Sequence, residues 1–123
     1  VGTACKTLKM DKASEIAIPG YYSVTLDNQL KVEITTGRTA AIYRFTYPAT
    51  ETAGIKINFK HSYGKHIAEE HSIIGDNAVK GFVRSACTCD LGSYKFYYYI
   101  EKDKSTYKPE DNDSELLWKF QKH

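Results

Sequence analysis

The chain has 123 residues, 41% of them hydrophobic, which fits one domain with a single core. Its net charge is only +2 and no run of five like charges occurs, so it lacks the electrostatic footprint of a nucleic-acid binder. The longest apolar stretches, such as Ala40 to Ile42, fall far short of the roughly 20 residues that span a bilayer.

Val1 to Met10 shows no charged start followed by an apolar stretch, so no signal peptide is expected within the chain. Tyrosine is the most telling residue type: ten tyrosines outnumber the five phenylalanines and one tryptophan together. Such rings suit half-wet pleated surfaces and also offer stacking platforms for sugars.

Val24 to Leu26 and Leu30 to Ile34 read as a hairpin around Asp27-Asn28-Gln29, whose first two residues tolerate turn geometry. Leu30, Val32 and Ile34 alternate with Lys31, Glu33 and Thr35, the period of a half-buried strand. After the turn Thr36-Gly37-Arg38, Ala41, Tyr43, Phe45 and Tyr47 share one face and Ile42, Arg44 and Thr46 the other. Pro48, which lacks a backbone donor, ends that strand, and Ala49 to Thr52 form a loop.

Ile55, Ile57 and Phe59 then alternate with lysines and asparagine in a fourth strand. His61 to Glu70 has no usable period and reads as a loop or a short helical turn. His71 to Ile74 and Ala78 to Ser85 form a second hairpin about Gly75-Asp76-Asn77. Ser93 to Glu101 is ring-rich on both faces, which predicts a strand that is central or covered on both sides. Asp103 to Asp113 has a linker composition, and Glu115 to Phe120 supplies a last apolar strand or helix start. Seven or eight short strands with hardly any helix predict an all-β fold, an antiparallel β-sandwich. Residues 1–13 read as an N-terminal extension and 14–123 as the single domain.

Little of the chemistry stands out. His61, His66 and His71 recur every five residues, a spacing that suits neither one strand face nor one helix stripe, so no metal site is expected. Cys5, Cys87 and Cys89 read as ordinary thiols; zinc binding, or a disulfide from Cys5 to one of the pair, are the alternatives. No nucleophile elbow or cysteine-protease signature occurs, so no triad is supported. Glu15, Asp27, Glu33, Glu51, Glu69 and Glu70 are candidate acids or bases for glycoside hydrolysis, but their turns and polar strand faces point to solvated charges, and no pair is nominated. Arg44 and Arg84 sit among aromatic or apolar neighbours. There a guanidinium either orients a carboxylate or a sugar hydroxyl, or is a structural partner at a sheet edge.

Five elements in order carry a resemblance. Ser14-Glu15-Ile16-Ala17-Ile18-Pro19-Gly20-Tyr21-Tyr22-Ser23-Val24, Leu30-Lys31-Val32-Glu33-Ile34-Thr35 and Ile42-Tyr43-Arg44-Phe45-Thr46-Tyr47-Pro48 come first. Ile55-Lys56-Ile57-Asn58-Phe59-Lys60-His61 and Gly81-Phe82-Val83-Arg84-Ser85, the latter with the aromatic strand Tyr94 to Tyr98, follow. Together they resemble the amino-terminal domain of glycoside hydrolase family 92.

The resemblance implies an incomplete sandwich of the galactose-mutarotase-like supersandwich type. It implies a parent that is an inverting, calcium-dependent exo-α-mannosidase acting on mannose-containing glycans, and an exported protein, periplasmic, cell-surface or secreted. Its acid, base and calcium ligands belong to an α/α-barrel absent from this chain, so this chain is expected to hold no cofactor and to be inactive alone. Carried over residue by residue, the resemblance makes Glu15, Arg44, His61 and Arg84 substrate-binding candidates. Cys87-Thr88-Cys89 departs from the family's aromatic there, and Val1 to Lys12 lacks its glycine-rich, histidine-bearing stretch. A docking face for the barrel, made by Trp118 or the tyrosines, is the corresponding structural expectation. A free-standing sugar-binding module and a purely structural or interaction domain are the competing readings.

Overall fold

The computed structural model describes residues 7–49, 53–87, 91–103 and 108–120. Among these, ten strands in three antiparallel sheets account for all the regular structure, and no helix occurs. The chain divides into two compact units, Val1–Glu51 and Thr52–His123.

The first unit is a four-stranded meander in sequence order: β1 (Met10–Ile18), β2 (Tyr21–Leu26), β3 (Lys31–Thr36) and β4 (Ala41–Thr46). Short polar turns between alternating runs dictate this order, because a two- to four-residue connection returns the chain antiparallel beside itself. Pro19-Gly20 joins β1 to β2, with Gly20 at φ 79°, a region that residues with a Cβ rarely enter. Strand β1 has no clean alternation because its register shifts between Asp11 and Ile16. The β2–β3 turn places its positive φ, 64°, at Gln29 rather than at Asp27 or Asn28. Gly37 N–H donates to the Ala40 carbonyl at 2.8 Å and closes the β3–β4 turn.

The second unit holds two sheets. One has the order β5-β10-β9, from β5 (Gly54–Asn58), β9 (Glu110–Asp111) and β10 (Glu115–Lys119). The other has the order β6-β7-β8, from β6 (His66–Ile74), β7 (Ala78–Ala86) and β8 (Ser93–Glu101). They share one core of Phe59, Val79, Leu116 and Trp118, against which Ile57, Tyr98, Ile100 and Phe120 pack. Each sheet contributes its alternate apolar residues, the arrangement of a small sandwich.

Several expectations are corrected. The stretch read as a loop ends at Lys65, and strand β6 starts at His66; a register shift between His66 and Ala68 breaks the alternation that would have announced it. Strand β8 is an edge strand, not a central one, and leaves Phe96, Tyr97 and Tyr99 58–69% exposed. The linker-like tail contains β9, paired with β10 through Leu116↔Asp111 and Leu117↔Glu110. Trp118 is no docking residue: it is 1% exposed, at the centre of the core. Cys87 is a half-buried free thiol, while Cys5 and Cys89 lie outside the described residues.

Candidate functional site

Within the first unit, the register Ser23↔Glu33 and Glu33↔Arg44 lays three polar residues in a row across β2, β3 and β4. Directly opposed residues share a face, so the row is a consequence of strand pairing. Arg44 Nε and Nη2 donate to the two Glu33 carboxylate oxygens at 2.6 and 2.7 Å. Tyr21 donates its hydroxyl to Glu33 Oε1 at 2.8 Å, and Lys31 Nζ lies 3.4 Å away. Hydrogen bonds from Arg44 first, and from Tyr21 second, hold the Glu33 carboxyl down at about 2 against burial, which opposes them. Glu33 is 7% exposed, whereas the Arg44 side chain is mostly solvent-facing. A carboxylate this firmly ionised suits fixed positioning of a guanidinium and not proton transfer near neutrality.

Glu15 lies on the other face. Ala17 is opposite Tyr22, and the Tyr22 hydroxyl donates to Glu15 Oε1 at 2.9 Å, with Lys12 Nζ 2.9 Å from Oε2. Lys12, then Tyr22, lower the Glu15 carboxyl below its usual range, and the Glu15 bond raises Tyr22. Strand alternation therefore puts Glu15 and Arg44 on opposite faces of one sheet, and they do not form one site.

The second unit holds the other two sequence candidates. His61 is exposed in the loop after β5, where its backbone N–H donates to Asn58 Oδ1 at 3.1 Å. Arg84 is exposed on β7, and its Nε and Nη2 donate to Ser93 Oγ at 3.0 and 2.9 Å. Arg84 lies opposite Lys95 and two residues from Phe82, on the sheet face away from the core.

That outer face carries a shallow groove of about 500 Å³, floored by the Phe82, Tyr97 and Tyr99 rings and edged by Glu70, Ser72 and Lys80. Phe82 and Tyr97 are 5.9 Å apart between centroids, and Lys95 Nζ stands 4.3 Å over the Phe82 ring. Exposed rings beside a few polar groups are the usual makings of a sugar-stacking surface. Alternation puts Tyr97 and Tyr99 on one face of β8, but it does not say that this face points away from the core, which is what exposes them.

On the core side, His71 Nε2 is 3.0 Å from Asp111 Oδ1, and its ring stacks on Phe59 at 4.4 Å. His66 pairs with Glu69, which also lies 3.8 Å from Lys60 Nζ. Among the described residues, no group of three or more His, Cys, Asp or Glu is placed to hold a metal ion.

A search of the curated proteins and of the solved structures returned no match. The family profile "Glycosyl hydrolase family 92 N-terminal domain" matches residues 3–112. That span covers the meander with its Glu33–Arg44 row and nine of the ten strands, with only β10 beyond it. The chain belongs to the glycosyl hydrolase family 92 N-terminal domain family.

Proposed function

We propose that this chain is the non-catalytic amino-terminal part of an exo-α-mannosidase, and that it helps shape a mannose-binding pocket with a catalytic α/α-barrel domain of the same parent. The family match over residues 3–112 carries the reading. The Glu33–Arg44 pair presents hydrogen-bond donors in a fixed orientation: Nε and one N–H of Nη2 are committed to Glu33, and a ligand would meet the guanidinium through Nη1 and the second N–H of Nη2. Such a donor orients a hydroxyl; it does no acid–base work. Glu15, His61 and Arg84 remain proposed substrate contacts by family resemblance alone.

By family resemblance the parent's calcium would reside in the catalytic domain, held there by oxygen ligands. Export of the parent to the periplasm, cell surface or medium belongs to the same proposal. The test is the parent polypeptide assayed on an α-linked mannoside, with the anomer of the released sugar followed by NMR. Release of β-mannose first supports an inverting mannosidase. A parent that releases no mannose, or releases the α-anomer first, overturns the proposal.

The Phe82, Tyr97 and Tyr99 groove favours a second reading, a sugar-binding module that works without the barrel. Calorimetric titration of the chain with mannosides and other glycans decides it: heat that disappears in Y97A supports the module, and no heat with any glycan removes it.

A further inference from the structure

The edge position of β8 leaves a nine-residue strand whose outward backbone groups pair with no other strand among the described residues. Its rings are exposed on both faces, with Tyr94 at 48%, Phe96 at 62%, Tyr97 at 69% and Tyr99 at 58%. A long, ring-rich edge is a template for another strand, and proteins ordinarily blunt such edges with charge or proline. Here no proline intervenes, and the two charged residues near the ends of the segment have opposite signs.

The order of those residues says which strand fits. Lys95-Phe96-Tyr97-Tyr98-Tyr99-Ile100-Glu101 is complementary to itself when read in the opposite direction. With Tyr98 on a two-fold axis, Lys95 of one copy faces Glu101 of the other, Phe96 faces Ile100, and Tyr97 faces Tyr99, each pair occurring twice. Antiparallel pairing about an axis normal to the sheet keeps each face continuous. The Lys–Glu and Tyr–Tyr pairs therefore lie on the outer face and the Phe–Ile pairs on the core side, as the register with β7 assigns them.

Neighbouring registers that preserve the faces are worse. Centring on Tyr97 sets Lys95 against Tyr99, and centring on Tyr99 sets Tyr97 against Glu101, so both lose the paired charges. The register is thus specified by charge as well as by ring pairing.

We propose that β8 is a self-association edge, and that two copies of this chain join β8 to β8, antiparallel about Tyr98, into a continuous six-stranded sheet. Such a contact is isologous and closes at two. It uses the edge of the sheet.

Sedimentation velocity of the 123-residue chain over a wide concentration range tests this. The expected result is a reversible species of twice the 13.9 kDa monomer mass and nothing larger. K95E or E101K alone replaces two opposite-charge pairs with two like-charge pairs and weakens association by roughly tenfold. The double exchange K95E/E101K restores it. Both positions are exposed, so the variants keep the fold, which near-ultraviolet circular dichroism verifies. Amide hydrogen exchange along β8 needs no variant and slows with rising concentration if the edge pairs. A chain monomeric throughout, association that grows beyond two, or a dimer indifferent to the charge exchange each overturns the proposal.

Discussion

The Arg44 guanidinium grips Glu33 across the β3–β4 ladder through two hydrogen bonds of 2.6 and 2.7 Å, and Glu33 is the buried partner of the two. The ordinary glutamate value of 4.5 is lowered to about 2 in the folded chain. The stabilising contribution is therefore complete above pH 4.5 and is lost as pH falls toward 2, where the folded state must accept a proton it holds poorly. Thermal unfolding midpoints measured from pH 2 to 6 should fall steeply in that window. R44M should flatten the slope and lower the midpoint at neutral pH, because Glu33 keeps only Tyr21 and Lys31.

Gly81 is fixed by close approach. A Cβ there would strike the Glu70 carbonyl oxygen and lie 2.8 Å from the Tyr98 hydroxyl and 2.9 Å from His71 Cα. Backbone cannot yield as a side-chain tip does, so G81A should cost about 1–3 kcal/mol by chemical denaturation. G37A, whose Cβ would meet only the Ala40 carbonyl oxygen at 3.8 Å, should change stability by less than about 0.5 kcal/mol.

Lys102 places an amine in the interior. It is 8% exposed, and Nζ has no hydrogen-bond partner among the described residues. The amine stands 5.4 Å from the Trp118 ring centroid and 5.6 Å from that of Phe120. Burial lowers its pKa from the ordinary 10.5, with Asp76 opposing. The unfolded chain then binds the proton more tightly, so this residue's contribution to stability rises as pH climbs toward 10.5. K102M keeps the ring contact and removes the charge. It should stabilise the chain by roughly 1 kcal/mol at pH 7, a gain that shrinks by pH 10. Denaturation of both proteins at the two pH values measures the difference.

Much of the fold was legible because alternation and turn residues agree from Val24 to Thr46 and from Ala78 to Glu101. The Glu33–Arg44 partnership was within reach too: pairing Thr36 with Ala41 across the Gly37 turn sets Glu33 opposite Arg44. The sequence by itself points to a solvated charge at Glu33, since alternation says which face a residue takes and not whether neighbours cover it. Strand β1 and the start of β6 were hidden by register shifts, which break the period that marks a strand. The edge position of β8 was hidden for a different reason. Ring-rich faces resemble those of a covered strand, and strand order is set by pairing between distant segments.

The most direct test of the proposed function separates the two parts of the parent enzyme. The catalytic domain, expressed without this chain, is assayed for mannose release from an α-linked mannoside, and the chain is then added back as a purified protein. Activity that is weak with either part alone and recovers on mixing is the expected result. R44A in the added chain should raise KM with little change in kcat, as loss of a binding contact does. A catalytic domain fully active without the chain, or a mixture that releases no mannose, would contradict the assignment.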